Sequence, residues 1–213
     1  MKPSTPVLTP PAGAPEARRQ PQQRRSRERL DRILAVAAEL IGEKGSDQVK
    51  MSEIAERARL SIGSLYQYFP DKRAILRTLA EGYAAESRRC IDEALAGVGD
   101  RKGLEAAFSA LVDQYYELML SKPVIRDIAA GMRSDKDLMA IELAESKTCG
   151  ALLAAAIRRV LPRADAKEVG VQAFLIWQLG EETMRLALQH RRGEGARLVE
   201  AYKRMSLRAM LEP

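Results

Sequence analysis

The chain has 213 residues, 46% hydrophobic and 30% charged, with a net charge of +6 and two cysteines. That length allows a small head and one larger helical domain, and no apolar run approaches the ~20 residues that span a bilayer. The N-terminus lacks the apolar core of a secretory signal, and two cysteines fit a reducing compartment, so a cytoplasmic protein without membrane contact is expected.

Residues 1–24 are rich in Pro, Ala, Gln and Arg. They offer too little apolar surface to offset ordering entropy, so a disordered basic arm is expected. Residues 1–30 hold Lys2, Arg18, Arg19, Arg24, Arg25, Arg27 and Arg29 against Glu16 and Glu28, a net of +5, which leaves only +1 for the other 183 residues. Either this arm aids solubility or it neutralises phosphates or enters a minor groove. Its place ahead of the next elements favours the nucleic-acid reading.

The first helix is marked by Leu30, Ile33, Leu34, Ala37, Leu40 and Ile41 at helical spacing, with Gly42 and Gly45 at its end. From Val49 to Lys72 the sequence VKMSEIAERARLSIGSLYQYFPDK reads as two short helices, a tight turn between them, and a hard stop. Met51, Ile54, Ala55 and Ala58 give the first an inner face. Ser61 is placed to cap the second, from Ile62 to Phe69. Leu65 and Phe69 face inward, which leaves Gly63, Ser64, Tyr66, Gln67 and Tyr68 on outer and flanking faces. Two small residues, two phenols and an amide suit a helix that approaches DNA closely. Pro70 disfavours helix at Phe69, and Asp71 caps a new helix opening with Lys72, whose cation sits beside free backbone N–H groups that attract phosphate.

Around these residues, densely from Ser26 to Tyr83, the chain resembles the TetR family of bacterial transcriptional regulators. The string GSLYQYFPDK, Gly63–Lys72, is specific to that family. There are two departures. Arg59 stands at a turn position usually held by Gly, where a positive φ costs roughly 1 kcal/mol more for Arg. Lys50 stands where the family often has a capping Thr, with Ser52 as a substitute.

The resemblance implies an all-α protein of about nine helices. A helix-turn-helix DNA-binding domain occupies 25–72, with a three-helix head, and an effector-binding and dimerisation domain occupies 73–213. Carried over residue by residue, Gly63 and Gln67 match positions that face base edges. Gln67 suits adenine. Ser64, Tyr66, Tyr68 and Lys72 match positions that touch phosphates, and Ser52 matches one used for backbone or edge contacts. Tyr68 has a competing reading as a half-buried core ring.

Further along, a long helix is expected over about 72–96. Others follow over about 104–121, 123–133, 135–161, 166–190 and 196–211, with the Gly193-Glu194-Gly195 stretch as the last break. The helix over 166–190 is apolar nearly all round, so it must be buried on two sides. The resemblance implies a homodimer through the last two helices, with double-stranded DNA as partner. It also implies an unidentified small-molecule effector, with Tyr115, Tyr116, Met119, Met132 and Trp177 as candidate lining residues.

No cofactor, metal ligand set or catalytic residue is expected. His190, the only histidine, is placed near the end of the eighth helix. No H-x-x-x-H, C-x-x-C, G-x-S-x-G or phosphate loop occurs. Cys90 and Cys149 read as buried thiols, and Glu181 and Glu182 diverge on their helix. A small helical enzyme and a ligand-free architectural DNA binder are the alternatives to a repressor released by its effector.

Overall fold

The structure, a computed structural model, describes residues 16–133 and 135–211, with side chains from Gln23 onward. Among the described residues there are nine helices and no strand. They are α1 Glu16–Lys44, α2 Met51–Arg57, α3 Ile62–Tyr68, α4 Lys72–Ala96, α5 Arg101–Ser121, α6 Pro123–Arg133, α7 Lys136–Val160, α8 Ala166–Ala187 and α9 Arg192–Leu211. None is long and apolar enough to cross a membrane.

Two expectations about boundaries are corrected. The disordered arm was expected over 1–24, but α1 already runs from Glu16, and residues 1–15 lie outside the described residues. Once Ile33, Ala37, Leu40 and Ile41 are packed, each residue added upstream gains a backbone hydrogen bond without a new nucleus, and Arg24 pairs with Glu28 one turn on, at 3.5 Å. At the other end, Gly193-Glu194-Gly195 is not a break. The chain leaves α8 at Ala187 and enters α9 at Arg192, so His190 lies between the two, its Nδ1 3.7 Å from Glu194. Gly195 serves close approach. A Cβ there would strike the carbonyl oxygen of Ala187 and come within 2.6 Å of the Tyr116 hydroxyl.

Local chemistry sets most other ends. Ser61 accepts from the Ser64 N–H at 3.1 Å, Asp71 from the Ala74 N–H at 2.8 Å, and Asp165 from the Glu168 N–H at 3.0 Å. Each satisfies a donor with no partner inside its helix. Gly45 closes α1 with φ +83°, a left-handed turn suited to glycine. Lys50 precedes α2 without a side-chain cap. Instead, Glu53 reaches back to the Lys50 N–H at 2.9 Å, which takes over the part proposed for Ser52.

The apolar side chains form two cores. One joins Ile33, Leu40, Ile54, Leu65 and Phe69 to Ile75, Leu76 and Leu79 of α4, Ile128 and Met132 of α6, and Leu138 of α7. The head is therefore not closed by three helices alone, because α6 supplies part of its floor. The second core packs Leu104, Phe108 and Tyr116 of α5 against Leu153 and Ile157 of α7, Ile176 and Met184 of α8, and Val199, Tyr202 and Met210 of α9. The Tyr202 hydroxyl donates to the Ile176 carbonyl at 2.7 Å, satisfying a buried polar group. Helix α4 runs through both, from Ile75 in the first to Ile91 and Leu95 in the second.

Candidate nucleic-acid interface and effector pocket

Helix α3 is anchored by two side chains and presents the rest. Leu65 is 0% exposed and Phe69 4%. Ile62, Gly63, Tyr66 and Gln67 are exposed, and Ser64 and Tyr68 are half-buried. Tyr66 is 50% exposed. Ser52 is exposed on α2. Arg59, between α2 and α3, has φ +57°. The left-handed turn is thus kept without glycine, at a cost of about 1 kcal/mol.

Two expected contact residues have additional work inside the fold. Lys72 donates to the carbonyl oxygens of Ser46 at 2.8 Å and Asp47 at 3.1 Å, tying the start of α4 to the loop before α2. One of its three donors is left for an anion. Ser26 donates to the Tyr68 hydroxyl at 3.4 Å. That hydroxyl's pKa is lowered, chiefly by Ser26 and further by the nearby Arg29. The Tyr68 ring packs on the head core, as the core reading has it, and its hydroxyl meets Ser26 of α1. Arg29, counted in the sequence only among the cations of the basic arm, also faces Tyr68. Tyr68 lies 39 residues further along the chain, so periodicity within α1 gives no sign of that contact.

The pocket candidates do not share one place. Met132 belongs to the head core. Tyr116 is buried in the body core, with its hydroxyl unpartnered among the described residues. Met119 is buried on α5. Tyr115 and Trp177 pack on the edge of the body core, beside a polar knot that sequence reading did not find. There Glu181 of α8 accepts from Ser146 of α7 at 2.9 and 3.0 Å, from the Trp177 indole at 3.1 Å and from Gln178 at 3.2 Å. Burial pushes its carboxyl up to about 7, with Glu142 repulsion adding to it and Ser146 and Trp177 opposing it. Burial also raises Glu142 and the Tyr115 phenol, the latter with Glu181 and Glu142 contributing. Arg133 of α6 stands 3.8 Å from Glu142, and Arg88 of α4 stands 3.0 Å from Glu145. The other Glu145 oxygen is buried without a hydrogen-bond partner among the described residues. A groove of about 400 Å³ lies elsewhere between α7 and α8, lined by Ala151, Arg158 and Phe174 among others. It includes none of the five candidates.

The cysteines differ from expectation in one respect: Cys149 is buried, its thiol pushed up to about 11 by burial, whereas Cys90 is exposed. Glu181 and Glu182 diverge as read, since Glu182 is exposed and pairs with Arg185.

A short capped helix held by two apolar anchors, ending on proline and backed by α1 and α2, defines an all-α helix-turn-helix protein with a separate helical body. The chain belongs to the TetR family: residues 33–79 match the family of bacterial regulatory proteins of the tetR type, and residues 102–213 match the tetracyclin repressor-like C-terminal domain. Among similar sequences, the uncharacterised helix-turn-helix regulator YvdT of Bacillus subtilis is 38% identical over 25% of this chain and 27% of its own. The regulator Rv0196 of Mycobacterium tuberculosis is 28% identical over 54% and 60%, and the repressor KstR of Mycolicibacterium smegmatis is 42% identical over 24% of each. The matches thus span between about a quarter and three fifths of these relatives. Solved structures share the fold across nearly the whole chain. A TetR-family regulator from Streptomyces coelicolor has a TM-score of 0.66 at 24% identity, covering 88% of this chain and 97% of that one. FadR of Bacillus subtilis, solved with stearoyl-CoA, has 0.64 at 18%, covering 85% and 97%.

Proposed function

We propose that the protein is a repressor that binds a palindromic operator as a homodimer and leaves it when a small molecule enters the body. The observation that carries this is the division of α3: Leu65 and Phe69 buried, Gly63, Tyr66 and Gln67 exposed on a helix fixed at both ends. Gln67 reads a base edge, adenine by its geometry. Ser64, Tyr66, Tyr68, Lys72 and Ser52 hold phosphates and set register.

Dimerisation through α8 and α9 is supported by an uncovered apolar face. Val171, Leu175 and Leu179 lie one turn apart and are 65%, 54% and 48% exposed, and Met205 of α9 is 69% exposed. Two-fold symmetry would pair two copies of α3 with two half-sites.

For the effector, Tyr115, Trp177 and the knot around Glu181 are the best-supported walls; Tyr116 and Met119 are buried on α5. Met132 acts through the head core instead. Arg88–Glu145 joins this knot to α4, the helix that also enters the head. A ligand that favours one setting of α4 changes DNA affinity by its differential affinity for the two settings. Two structural neighbours were solved with small molecules, FadR with stearoyl-CoA and RolR with resorcinol.

The test is selection of duplexes from random DNA by the purified full chain, then titration on the selected and scrambled sequences. A palindromic selected site is expected, and Gln67→Ala should erase the preference between the two duplexes. Equal losses on both duplexes would refute the role of Gln67. A protein that selects nothing would refute the regulator reading.

A further inference from the structure

We infer that the effector is an amphipathic amine: its protonated nitrogen pairs with the Glu181 carboxylate between α7 and α8, and its apolar part lies against Trp177 and Tyr115. This rests on the reading of the body as an effector-binding domain.

Charge comes first. Helix α7 carries Glu142, Glu145 and Ser146 at i, i+3 and i+4, on one side, and Glu181 of α8 meets Ser146 there at 2.9 and 3.0 Å. Two of the three acids have a cation: Arg133 lies 3.8 Å from Glu142, and Arg88 lies 3.0 Å from Glu145. Glu181 forms no ion pair with any described residue. Its partners, the Ser146 hydroxyl, the Trp177 indole and Gln178, are neutral donors. They favour the ionised form, because a carboxylate accepts at both oxygens while a protonated acid must also donate. Burial and the nearby Glu142 oppose that charge. A cation brought from outside resolves the conflict.

Unmet acceptors come second. The Tyr115 hydroxyl faces Glu181, Glu142 and Arg133 and bonds to no described residue. Body atoms surround it on nearly every side, yet Tyr115 keeps accessible surface. Surface kept at that depth borders an internal space. The second oxygen of Glu145 is buried with no hydrogen-bond partner among the described residues. Buried polar atoms are rarely left unbonded. An ammonium brings three donors and no acceptor, one for Glu181 and one for the Tyr115 oxygen.

Exclusion comes third. An organic anion would face three carboxylates with both neighbouring guanidinium groups already engaged, and like charges out of water repel strongly. The rings of Trp177 and Tyr115 attract a cation and cover an apolar tail.

The experiment uses the full chain at pH 7.5 and three probes of one size: phenylbutylamine, phenylbutanol and phenylbutyrate. Trp177 is the only tryptophan, so its fluorescence reports binding at this place. The amine should bind about tenfold or more tightly than the alcohol, and the carboxylate most weakly. Amine affinity should fall about tenfold from pH 8 to pH 6, as Glu181, at about 7, takes up its proton. Alcohol affinity should stay level. Glu181→Gln should bring the amine down to the level of the alcohol, whereas Glu105→Gln, exposed on α5, should match the parent. Ranking and pH profile come from the parent alone, so a Glu181→Gln chain that fails to fold leaves the test intact. A carboxylate that binds as tightly as the amine, or an amine affinity unmoved by pH, overturns this inference and leaves the body as an effector domain for another class of ligand. Silence of Trp177 toward all three probes overturns the site and the effector reading together. An amine that binds without releasing the chain from its selected duplex keeps the site and overturns the effector reading.

Discussion

The Ser146 hydroxyl of α7 lies 2.9 and 3.0 Å from the two carboxylate oxygens of Glu181 of α8 and shares its one proton between them, a link that spans the contact between the two helices. It holds an acid where burial disfavours charge. The groups facing it are Glu142, Arg133, Tyr115, Trp177 and Gln178.

This acid makes stability depend on pH with a definite sign. Its folded pKa is raised from 4.5 to about 7. Below pH 4.5 the group is protonated in both folded and unfolded chains, and nothing is lost. As pH rises from 4.5 through 7 the unfolded chain sheds its proton first, and stability falls, by on the order of 3 kcal/mol once pH exceeds 7. Denaturant unfolding at fixed protein concentration should therefore show a drop between pH 5 and pH 8. Glu181→Gln should flatten it, and an unchanged slope in the variant would remove Glu181 from the account.

Lys72→Ala should do two things at once. Losing the bonds to Ser46 and Asp47 should lower stability by about 1–2 kcal/mol, and losing the cation should weaken binding to every duplex. Gln67→Ala should change neither stability nor binding to scrambled DNA. Thermal melts beside the titrations separate the two residues.

A charge on the uncovered face of α8 should break the dimer. Leu175 is 54% exposed in the single chain, so Leu175→Glu costs the folded subunit little while placing two carboxylates across a two-fold interface. Sedimentation should show the parent as a dimer and the variant as a monomer. A parent that sediments as a monomer would contradict the proposed assembly.

Arg59→Gly should stabilise the head by about 1 kcal/mol, because φ +57° costs a side chain that glycine lacks. The melting temperature reads this directly.

Gly195→Ala should destabilise by about 1–3 kcal/mol through overpacking, since the added Cβ meets Ala187 and Tyr116. A variant as stable as the parent would show that α9 can shift away from α5 and α8.

Much of the fold was legible because its signals are local. Spacing of Ile33, Ala37, Leu40 and Ile41 marked the packed part of α1. Ser61, Pro70 and Asp71 bounded α3, and Lys72–Ala96 emerged with both ends as read. The outward set on α3 was legible for the same reason, since Leu65 and Phe69 are four apart and fix the helix's rotation. What stayed hidden depends on partners distant in sequence. Nothing near Met132 says that it faces the head, nothing near Gly195 says that Ala187 and Tyr116 crowd it, and nothing near Glu181 names Ser146, 35 residues earlier. Caps and periodicity are fixed within a few residues of chain. Which carboxylate is buried, which cation is already paired and which glycine is a contact point are set by how helices cross, and only the packed tertiary structure decides them.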